Sequence, residues 1–269
     1  MIKRTCNIRG QIYRLTTWGQ PQAQAWLFLH GFMGSAADFA PIAAELNGYR
    51  ICLDLIGFGP QASTVPARRL SMAAQIIDLT LILAELGVMQ VKLVGYSMGG
   101  RLALGFTLAQ PQLVYHLYLE SSTAGLADPQ QREQRQRHDH ELAVQLRTTG
   151  LPAFVAAWEQ LPLFTSQRQM PPVQQHQMRQ QRLQQNPQNL AASLEQMGTG
   201  SQPNFWSQLP QMTTPTTLIV GGRDQKFYQI AQRLRRLIPK AKLVVLTDAG
   251  HNTHFEAPEQ FINLLKDDC

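Results

Sequence analysis

One segment constrains the fold of this chain more than any other: Gly95–Gly99, with the sequence Gly-Tyr-Ser-Met-Gly. A strand-like apolar run, Val91–Val94, precedes it, and a stretch with helical character, Arg101–Ala109, follows it. A serine between glycines on a sharp strand-to-helix turn has strained backbone angles and an exposed hydroxyl. The first N–H groups of the following helix point toward any anion that forms beside that hydroxyl. The pattern predicts that Ser97 is catalytic; the alternative is a plain glycine-rich turn.

Apolar runs and helical segments alternate along most of the chain. Besides Val91–Val94, the strand-like runs are Trp26–His30, Arg50–Asp54, Leu113–Leu119, Thr216–Val220 and Leu243–Leu246. Helical spacing of apolar residues is clear in Ser71–Leu86 and Pro258–Leu265. Continuous apolar strands that alternate with helices indicate a mostly parallel sheet with helices on both faces. We therefore predict an α/β fold with a central sheet.

The composition changes between about Asp128 and Gln208. This stretch is rich in glutamine and arginine, and its apolar residues have helical rather than strand-like spacing. We interpret it as a mostly helical cap over the carboxyl edge of the sheet. The 269 residues, 44% of them hydrophobic, suffice for one large core. The predicted organisation is a core in two parts, residues 1–123 and 209–269, with the cap, residues 124–208, between them.

A serine becomes reactive through a base and a group that orients the base. Asp224 and His251 each follow a strand-like run, and the chain order Ser, Asp, His is typical of a serine on this kind of turn. Asp248 is a rival acid, although it lies only three residues before His251. Asp224 could instead cap a helix, and His251 could be an ordinary loop histidine. We predict that Ser97, Asp224 and His251 form a catalytic triad.

An oxyanion needs at least two convergent hydrogen-bond donors. The backbone N–H of Met98, directly after the serine, is the first candidate. The second is the backbone N–H of Phe32, in the glycine-containing turn His30–Gly34 after an early strand. We expect His30 itself to be structural and to pack beneath this turn.

The composition also bounds partners and location. The net charge is +6 with only 16% charged residues, so we expect no nucleic-acid partner. The three cysteines, Cys6, Cys52 and Cys269, lack metal-ligand spacing and predict reduced thiols in the cytoplasm. No run approaches the ~18 apolar residues that span a bilayer, so no membrane span is predicted. We expect neither a metal nor an organic cofactor.

Several short segments carry a resemblance to known families. They are Leu29–Gly34, Gly95–Arg101, Arg132–Asp139, Trp158–Phe164, Gly222–Phe227 and Ala249–His254. Through the first two, the chain resembles the α/β-hydrolase superfamily over nearly its whole length. The extension to Arg101 and the segments in the cap and around Asp224 are more selective. They resemble the 2-succinyl-6-hydroxy-2,4-cyclohexadiene-1-carboxylate synthases of menaquinone and phylloquinone biosynthesis.

This resemblance implies an elimination rather than a hydrolysis. The substrate would be 2-succinyl-5-enolpyruvyl-6-hydroxy-3-cyclohexene-1-carboxylate, a tricarboxylate that loses pyruvate by 2,5-elimination. Ser97 would remove the ring proton next to the succinyl ketone, His251 would accept the serine proton, and Asp224 would orient His251. The ketone oxygen would become anionic beside the N–H groups of Phe32 and Met98.

Three substrate carboxylates favour the forked donors of arginine. Arg101 lies about one helical turn after Ser97, and Arg135 and Arg182 match arginines of the resembled family. Tyr96, Trp158, Phe164 and Lys226 complete the predicted substrate-binding set, while Arg132 and Arg137 are weaker candidates. Each cap arginine could instead be an ordinary surface residue, and each aromatic an ordinary core residue.

The resemblance is not complete, and other functions stay open. Ile56 and Phe58 stand where relatives usually have proline and histidine, and Ala124 stands where proline is common. These departures affect the expected loop shapes but not the predicted triad. A serine hydrolase of carboxylic esters or carbon–carbon bonds is the first alternative, and a binding module without catalysis is the second.

Overall fold

The central element of the protein is an eight-stranded sheet, seen in a computed structural model that describes residues 1–267. Cys269, one of the three cysteines, lies outside the described residues. The strands are β1 (Ile2–Ile8), β2 (Gln11–Trp18), β3 (Ala25–Leu29), β4 (Tyr49–Leu53), β5 (Val91–Tyr96), β6 (Val114–Glu120), β7 (Thr216–Gly221) and β8 (Ala241–Leu246). Their spatial order is β1-β2-β4-β3-β5-β6-β7-β8.

Parallel pairing dominates this sheet. β3 pairs in parallel with β4 and β5, and the series β5, β6, β7 and β8 continues in parallel. The β1–β2 hairpin and the contact of β2 with β4 are antiparallel. The carboxyl ends of the parallel strands therefore meet at one edge, where open α/β sheets bind their ligands. The predicted mostly parallel α/β fold is confirmed.

The core lies on both faces of the sheet because side chains of a strand alternate between its faces. In β3, Leu27 and Leu29 pack into one hydrophobic cluster, whereas Trp26 and Phe28 pack into another. All four side chains are buried. Burial on both faces explains why the strand has an uninterrupted apolar sequence.

Nine α-helices flank the sheet or cover its edge within residues 1–267. They are α1 (Ala36–Ala44), α2 (Met72–Glu85), α3 (Met98–Ala109), α4 (Pro129–Trp158), α5 (Pro172–Leu183), α6 (Pro187–Met197), α7 (Gln225–Leu237), α8 (Thr253–Glu256) and α9 (Pro258–Asp267). The N-cap of α2 is Ser71, whose hydroxyl accepts the N–H of Ala74. This cap places the start of α2 where the sequence predicts it.

Helices α4, α5 and α6 occupy the chain between β6 and β7, the region interpreted as a cap. α4 bends at Gly150, whose φ of 79° is left-handed and interrupts the helix. Asn189 of α6 donates from its side chain to the carbonyls of Gly57 (3.0 Å) and Ser63 (2.9 Å) in the core. These bonds hold α6 against a loop of the core; the division at residues 124 and 208 stays a prediction.

Candidate active site

Ser97 occupies the turn between β5 and α3, with φ 49° and ψ −105°. Its N–H donates to the carbonyl of Glu120 in β6 (2.9 Å), so the turn continues the sheet ladder. A Cβ on Gly99 would overlap the backbone carbonyls of Leu29 and His30. Glycine at this position therefore lets the turn approach β3 closely. The local geometry is that of a serine exposed above the sheet edge.

His251 and Asp224 lie beside this serine. The Ser97 hydroxyl is 3.2 Å from Nε2 of His251, and Nδ1–H of His251 donates to Oδ2 of Asp224 over 2.7 Å. His251 and Asp224 are both buried. Asp224 is also the N-cap of α7, because its Oδ1 accepts the N–H of Phe227. The helix-cap bond and the bond to His251 thus use different carboxylate oxygens of Asp224.

The two candidate oxyanion donors flank the same pocket as Ser97. Met98 is the first residue of α3, where a backbone N–H has no acceptor within the helix. Phe32 precedes Met33, whose φ of 60° makes the turn after β3. The N–H of Gly34 closes that turn by donating to the carbonyl of Gly31 (3.1 Å).

His30 supports the same turn from beneath. Its Nδ1–H donates to the carbonyl of Gly31 (2.7 Å), and its Nε2 accepts the N–H of Leu55 (3.0 Å). Burial lowers the pKa of His30 from 6.5 to about 4, because the charged imidazolium would be desolvated. Phe58, one of the departures from the resembled family, packs its ring 5.3 Å from the His30 ring and 6.2 Å from that of Phe32. A neutral His30 fixed by two backbone groups matches the expected structural role.

The pocket above Ser97 has a volume of about 170 Å³. All predicted catalytic and substrate-binding residues except Asp224 line it. Its aromatic wall is continuous, because the Trp158 ring lies 5.2 Å from Phe32 and 5.8 Å from Phe164. The Tyr96 ring lies 5.5 Å from that of His251. Burial raises the pKa of Tyr96, so its hydroxyl stays protonated.

Two predicted arginines lie on one side of the pocket. Arg101 is buried, and its Nη1–H donates to the carbonyl of Met197 at the end of α6 (2.7 Å). Burial, followed by the charge of Arg135, lowers the pKa of Arg101 to about 10. Arg135 pairs with Asp139 one helical turn further along α4 (2.8 Å). Only Nη1 of Arg101 is bonded to Met197, so the guanidinium has further N–H donors. Arg101 and Arg135 both line the pocket and give this side of it positive charge.

The third arginine approaches from the cap. Arg182 donates to Oε1 of Glu159 and to Oε1 of Gln167, both over 3.0 Å, and its guanidinium lies 5.4 Å from the Phe164 ring centre. Glu159 also pairs with Arg179. Sequence reasoning missed this carboxylate, which fixes Arg182 at the pocket wall.

The remaining basic candidates differ in position. Lys226 lines the pocket with its ammonium 5.7 Å from the Phe227 ring centre. Arg132 donates to the carbonyl of Gly200 (3.0 Å), and the exposed Arg137 pairs with Glu133 (2.7 Å). Arg132 and Arg137, the two weaker candidates, thus bond to residues between β6 and β7 and do not line the pocket.

Sequence reasoning also missed a second carboxylate–histidine pair behind the triad. Glu120 and His254 are both buried, and Nδ1–H of His254 donates to Oε2 of Glu120 (2.7 Å). Asp38, another pocket residue, has its pKa raised to about 6 by burial. His254 ends the segment Ala249–His254, but Glu120 and Asp38 belong to none of the segments that carry the resemblance, so nothing in the sequence indicated this pair.

The elbow serine, its two partners and the sheet order define the class of α/β-hydrolase-fold proteins. A family model described as alpha/beta hydrolase fold matches residues 25–258. A Bacillus subtilis (strain 168) protein, provisionally named 2-succinyl-6-hydroxy-2,4-cyclohexadiene-1-carboxylate synthase, is 38% identical over 94% of this chain and 92% of its own. A Salmonella paratyphi C protein with the same synthase name is 32% identical over 92% of this chain and 94% of its own. The chain belongs to this synthase family within the α/β-hydrolase class.

Solved structures agree with this assignment. MenH from S. aureus has a TM-score of 0.89 and 32% identity, covering 94% of this chain and 96% of its own. A thermophilic esterase from Thermogutta terrifontis, solved with malate bound, has a TM-score of 0.83 and 25% identity, covering 99% and 97%. An esterase therefore shares the fold of this chain, so the function depends on the pocket rather than on the fold.

Two features are absent from residues 1–267. No group of three or more His, Cys, Asp or Glu side chains in this range is placed to hold a metal ion. Within the same range, every helix is too short or too polar to cross a membrane.

Proposed function

We propose that this protein eliminates pyruvate from 2-succinyl-5-enolpyruvyl-6-hydroxy-3-cyclohexene-1-carboxylate, leaving 2-succinyl-6-hydroxy-2,4-cyclohexadiene-1-carboxylate. The observation that carries the proposal is the hydrogen bond of Ser97 to His251 in a pocket that three arginines border. The synthase names of relatives at 38% and 32% identity support the same reaction. The product would serve menaquinone or phylloquinone biosynthesis.

In the proposed reaction Ser97 is a base and forms no covalent intermediate. Its hydroxyl passes a proton to Nε2 of His251 while its oxygen takes the ring proton next to the succinyl ketone. The electrons of that C–H bond move to the ketone oxygen, and Asp224 stabilises the imidazolium that forms. When the enolate collapses, a new ring double bond forms and the C–O bond to the enolpyruvyl group breaks. The released enolpyruvate becomes pyruvate by taking up a proton.

The enolate oxygen is the group that needs stabilising. We propose that it accepts hydrogen bonds from the N–H groups of Phe32 and Met98, at the start of a helix whose dipole also favours negative charge. The fixed turn over His30 supports this role, because preorganised donors need no rearrangement during the reaction.

The arginines would bind the three carboxylates. Arg101, Arg135 and Arg182 line the pocket, and Lys226 adds a further positive charge. Trp158, Phe164 and Tyr96 would enclose the ring and the succinyl chain. We therefore propose a small-molecule tricarboxylate as the partner of this pocket. We also propose a cytoplasmic location, which the free thiols of Cys6 and Cys52 support.

The direct test supplies the enolpyruvyl intermediate and follows pyruvate with a coupled dehydrogenase. The proposal expects pyruvate release that depends on Ser97 and requires no added metal. Carboxylester hydrolysis is the second candidate, favoured by the triad and by the likeness to the Thermogutta esterase. A protein that hydrolyses neutral aryl esters efficiently but releases no pyruvate would support that candidate instead.

A further inference from the structure

We propose that Glu120 is a positioning residue that sets the distance between Ser97 and His251, an inference that rests on the proposed serine–histidine chemistry. Glu120 is the last residue of β6, and its side chain is fully buried. It lies outside the triad and outside the pocket wall. Its role would be to connect the strand that holds the serine with the loop that holds the histidine.

The backbone of Glu120 fixes the serine. Its carbonyl accepts the N–H of Ser97 over 2.9 Å, at the point where β5 ends and the strained turn begins. Ser97 has a positive φ, a conformation that is costly for a residue with a Cβ and persists only where its surroundings enforce it. This hydrogen bond is one of the contacts that enforce it.

The side chain of Glu120 fixes the histidine loop. Oε1 accepts the hydroxyl of Thr253 (2.7 Å) and the N–H of His254 (3.0 Å), and Oε2 accepts Nδ1–H of His254 (2.7 Å). Three donors in two consecutive residues satisfy one carboxylate without any solvent contact. Thr253 lies two positions after His251, so these bonds restrain the backbone next to the catalytic ring.

A second carboxylate shows what is particular to Glu120. Glu256 accepts the N–H groups of Gly250 (2.7 Å) and Asn252 (3.2 Å), on either side of His251. These bonds shape the loop, but both join residues of one short segment, 250–256. Glu120 instead joins the loop to β6 and, through its carbonyl, to Ser97. A carboxylate in that position controls the separation of the two reacting groups.

The packing around His254 makes the connection rigid. The His254 ring stacks on Phe39 of α1 with ring centres 4.1 Å apart, and the Tyr96 ring meets its edge at 5.0 Å. Tyr96 precedes Ser97 directly. A displaced His254 would therefore disturb both the loop after His251 and the residue before Ser97.

Glu120→Gln tests the proposal with almost no change in volume. The amide can keep its oxygen toward Thr253 and the N–H of His254, but it presents an N–H to Nδ1 of His254 in place of an acceptor. We expect kcat for pyruvate release to fall about 10- to 100-fold, because an ångström of misplacement has effects of this size. KM should stay within about threefold, since the carboxylate-binding groups are untouched.

Asp78→Asn is the matched control. Asp78 is also a fully buried carboxylate with several partners, namely Arg69 (2.7 Å), Tyr13 (2.6 Å) and Arg9 (3.3 Å). It lies in α2, away from the pocket. If Glu120 only stabilises the fold, both variants should lower Tm, and both should keep kcat near the wild-type value. The proposal expects both to lower Tm and only Glu120→Gln to lower kcat more than about twofold.

A second pair of variants covers the case in which Glu120→Gln does not fold. Thr253→Val removes the hydroxyl bond to Glu120 at nearly constant volume, whereas Thr253→Ser keeps the hydroxyl and loses a methyl group from a fully buried site. A purely structural role predicts that both variants lower Tm while kcat of the folded protein stays near the wild-type value. The proposal expects kcat to fall severalfold for valine and to remain near the wild-type value for serine.

Hydrogen–deuterium exchange provides a readout that needs no substrate. Amides of residues 250–254 should exchange faster in Glu120→Gln than in wild type and in Asp78→Asn. Unchanged exchange, or a kcat within twofold of wild type, would overturn the positioning role. If wild type itself released no pyruvate, the proposed function would fail, while the exchange result would still decide whether Glu120 positions the loop.

Discussion

His251 Nε2 lies 3.2 Å from the hydroxyl of Ser97, although 154 positions separate the two residues in the chain. The imidazole is held by Asp224 at 2.7 Å and packs between aromatic rings, with the Phe227 ring centre 4.5 Å away. Its orientation is therefore set by both a charged hydrogen bond and packing. A distance of 3.2 Å is long for a hydroxyl hydrogen bond, and such bonds commonly shorten when substrate binds.

Replacing the serine should remove catalysis without removing the fold. In Ser97→Ala the site loses its proton-transfer oxygen, so we expect kcat to fall on the order of 10⁴-fold, with residual turnover from the oxyanion donors. The half-buried Ser97 lines the pocket, so its hydroxyl contributes little packing and Tm should stay close to that of wild type. Steady-state pyruvate release and thermal unfolding are the two measurements. Turnover near the wild-type rate would remove Ser97 from the mechanism.

The choice between the two candidate acids has a direct test. Asp224→Asn should reduce kcat by about 10⁴-fold, because an amide no longer favours the Nδ1–H tautomer of His251. Asp248→Asn is the control, since Asp248 is exposed and lies three residues from His251. It should leave kcat within about twofold of wild type. Equal losses in both variants would contradict the assignment of Asp224.

The parts of the fold and site that could be predicted from the sequence are those marked by a pattern in consecutive residues. Val91–Tyr96 is a buried strand before a glycine-flanked serine, and both features are visible in consecutive residues. The β1–β2 hairpin was missed because β1 is mostly exposed and its seven residues contain only two buried positions. An edge strand of this kind lacks the continuous apolar run that marks a buried parallel strand.

The parts that could not be predicted depend on contacts between distant segments. Glu120 and His254 are 134 positions apart, and neither has a spacing that indicates the other. Glu159 restrains Arg182 from 23 positions away, across the break between two cap helices. The resemblance to a family supplied Arg182 but not the carboxylate that holds it, because only the packed structure shows which groups meet.

Buried His30 makes stability depend on pH in a defined window. Its folded pKa is about 4, below the unfolded value of 6.5, so the unfolded chain binds more protons between these values. The stability from neutral His30 is present above pH 6.5 and is lost as pH falls toward 4, by about 3 kcal/mol at most.

Denaturant unfolding of wild type and His30→Gln at several pH values tests this effect. Asp38 acts in the opposite direction, since its raised pKa of about 6 makes stability fall as pH rises from 3.8. Asp38 contributes equally to both proteins, so its contribution cancels in the difference between their free energies of unfolding. That difference should shrink as pH falls from 6.5 to 4. A constant difference would show that His30 keeps an ordinary pKa.

The arginines separate the proposed lyase from an esterase of the same fold. Arg101 is 8% exposed, so a carboxylate paired with it would be well desolvated. Arg101→Ala should cost about 2–5 kcal/mol in kcat/KM for pyruvate release. The Arg135 side chain is 34% exposed, and Arg135→Ala should cost less, on the order of 1 kcal/mol. Arg101→Lys should recover part of the loss, because the charge returns without the planar fork.

The matched control for these variants is Arg137→Ala. The Arg137 side chain is 61% exposed and pairs with Glu133 on the outer surface of α4, so its loss should leave pyruvate release unchanged. Each protein is assayed in parallel with a small neutral ester, whose hydrolysis needs the triad but no carboxylate clamp. The proposed function requires Arg101→Ala, Arg135→Ala and Arg182→Ala to reduce pyruvate release more than ester hydrolysis, with the largest difference for Arg101→Ala. Equal reductions in both reactions would mean that these arginines shape the pocket but do not bind the substrate carboxylates. The esterase candidate would then be favoured.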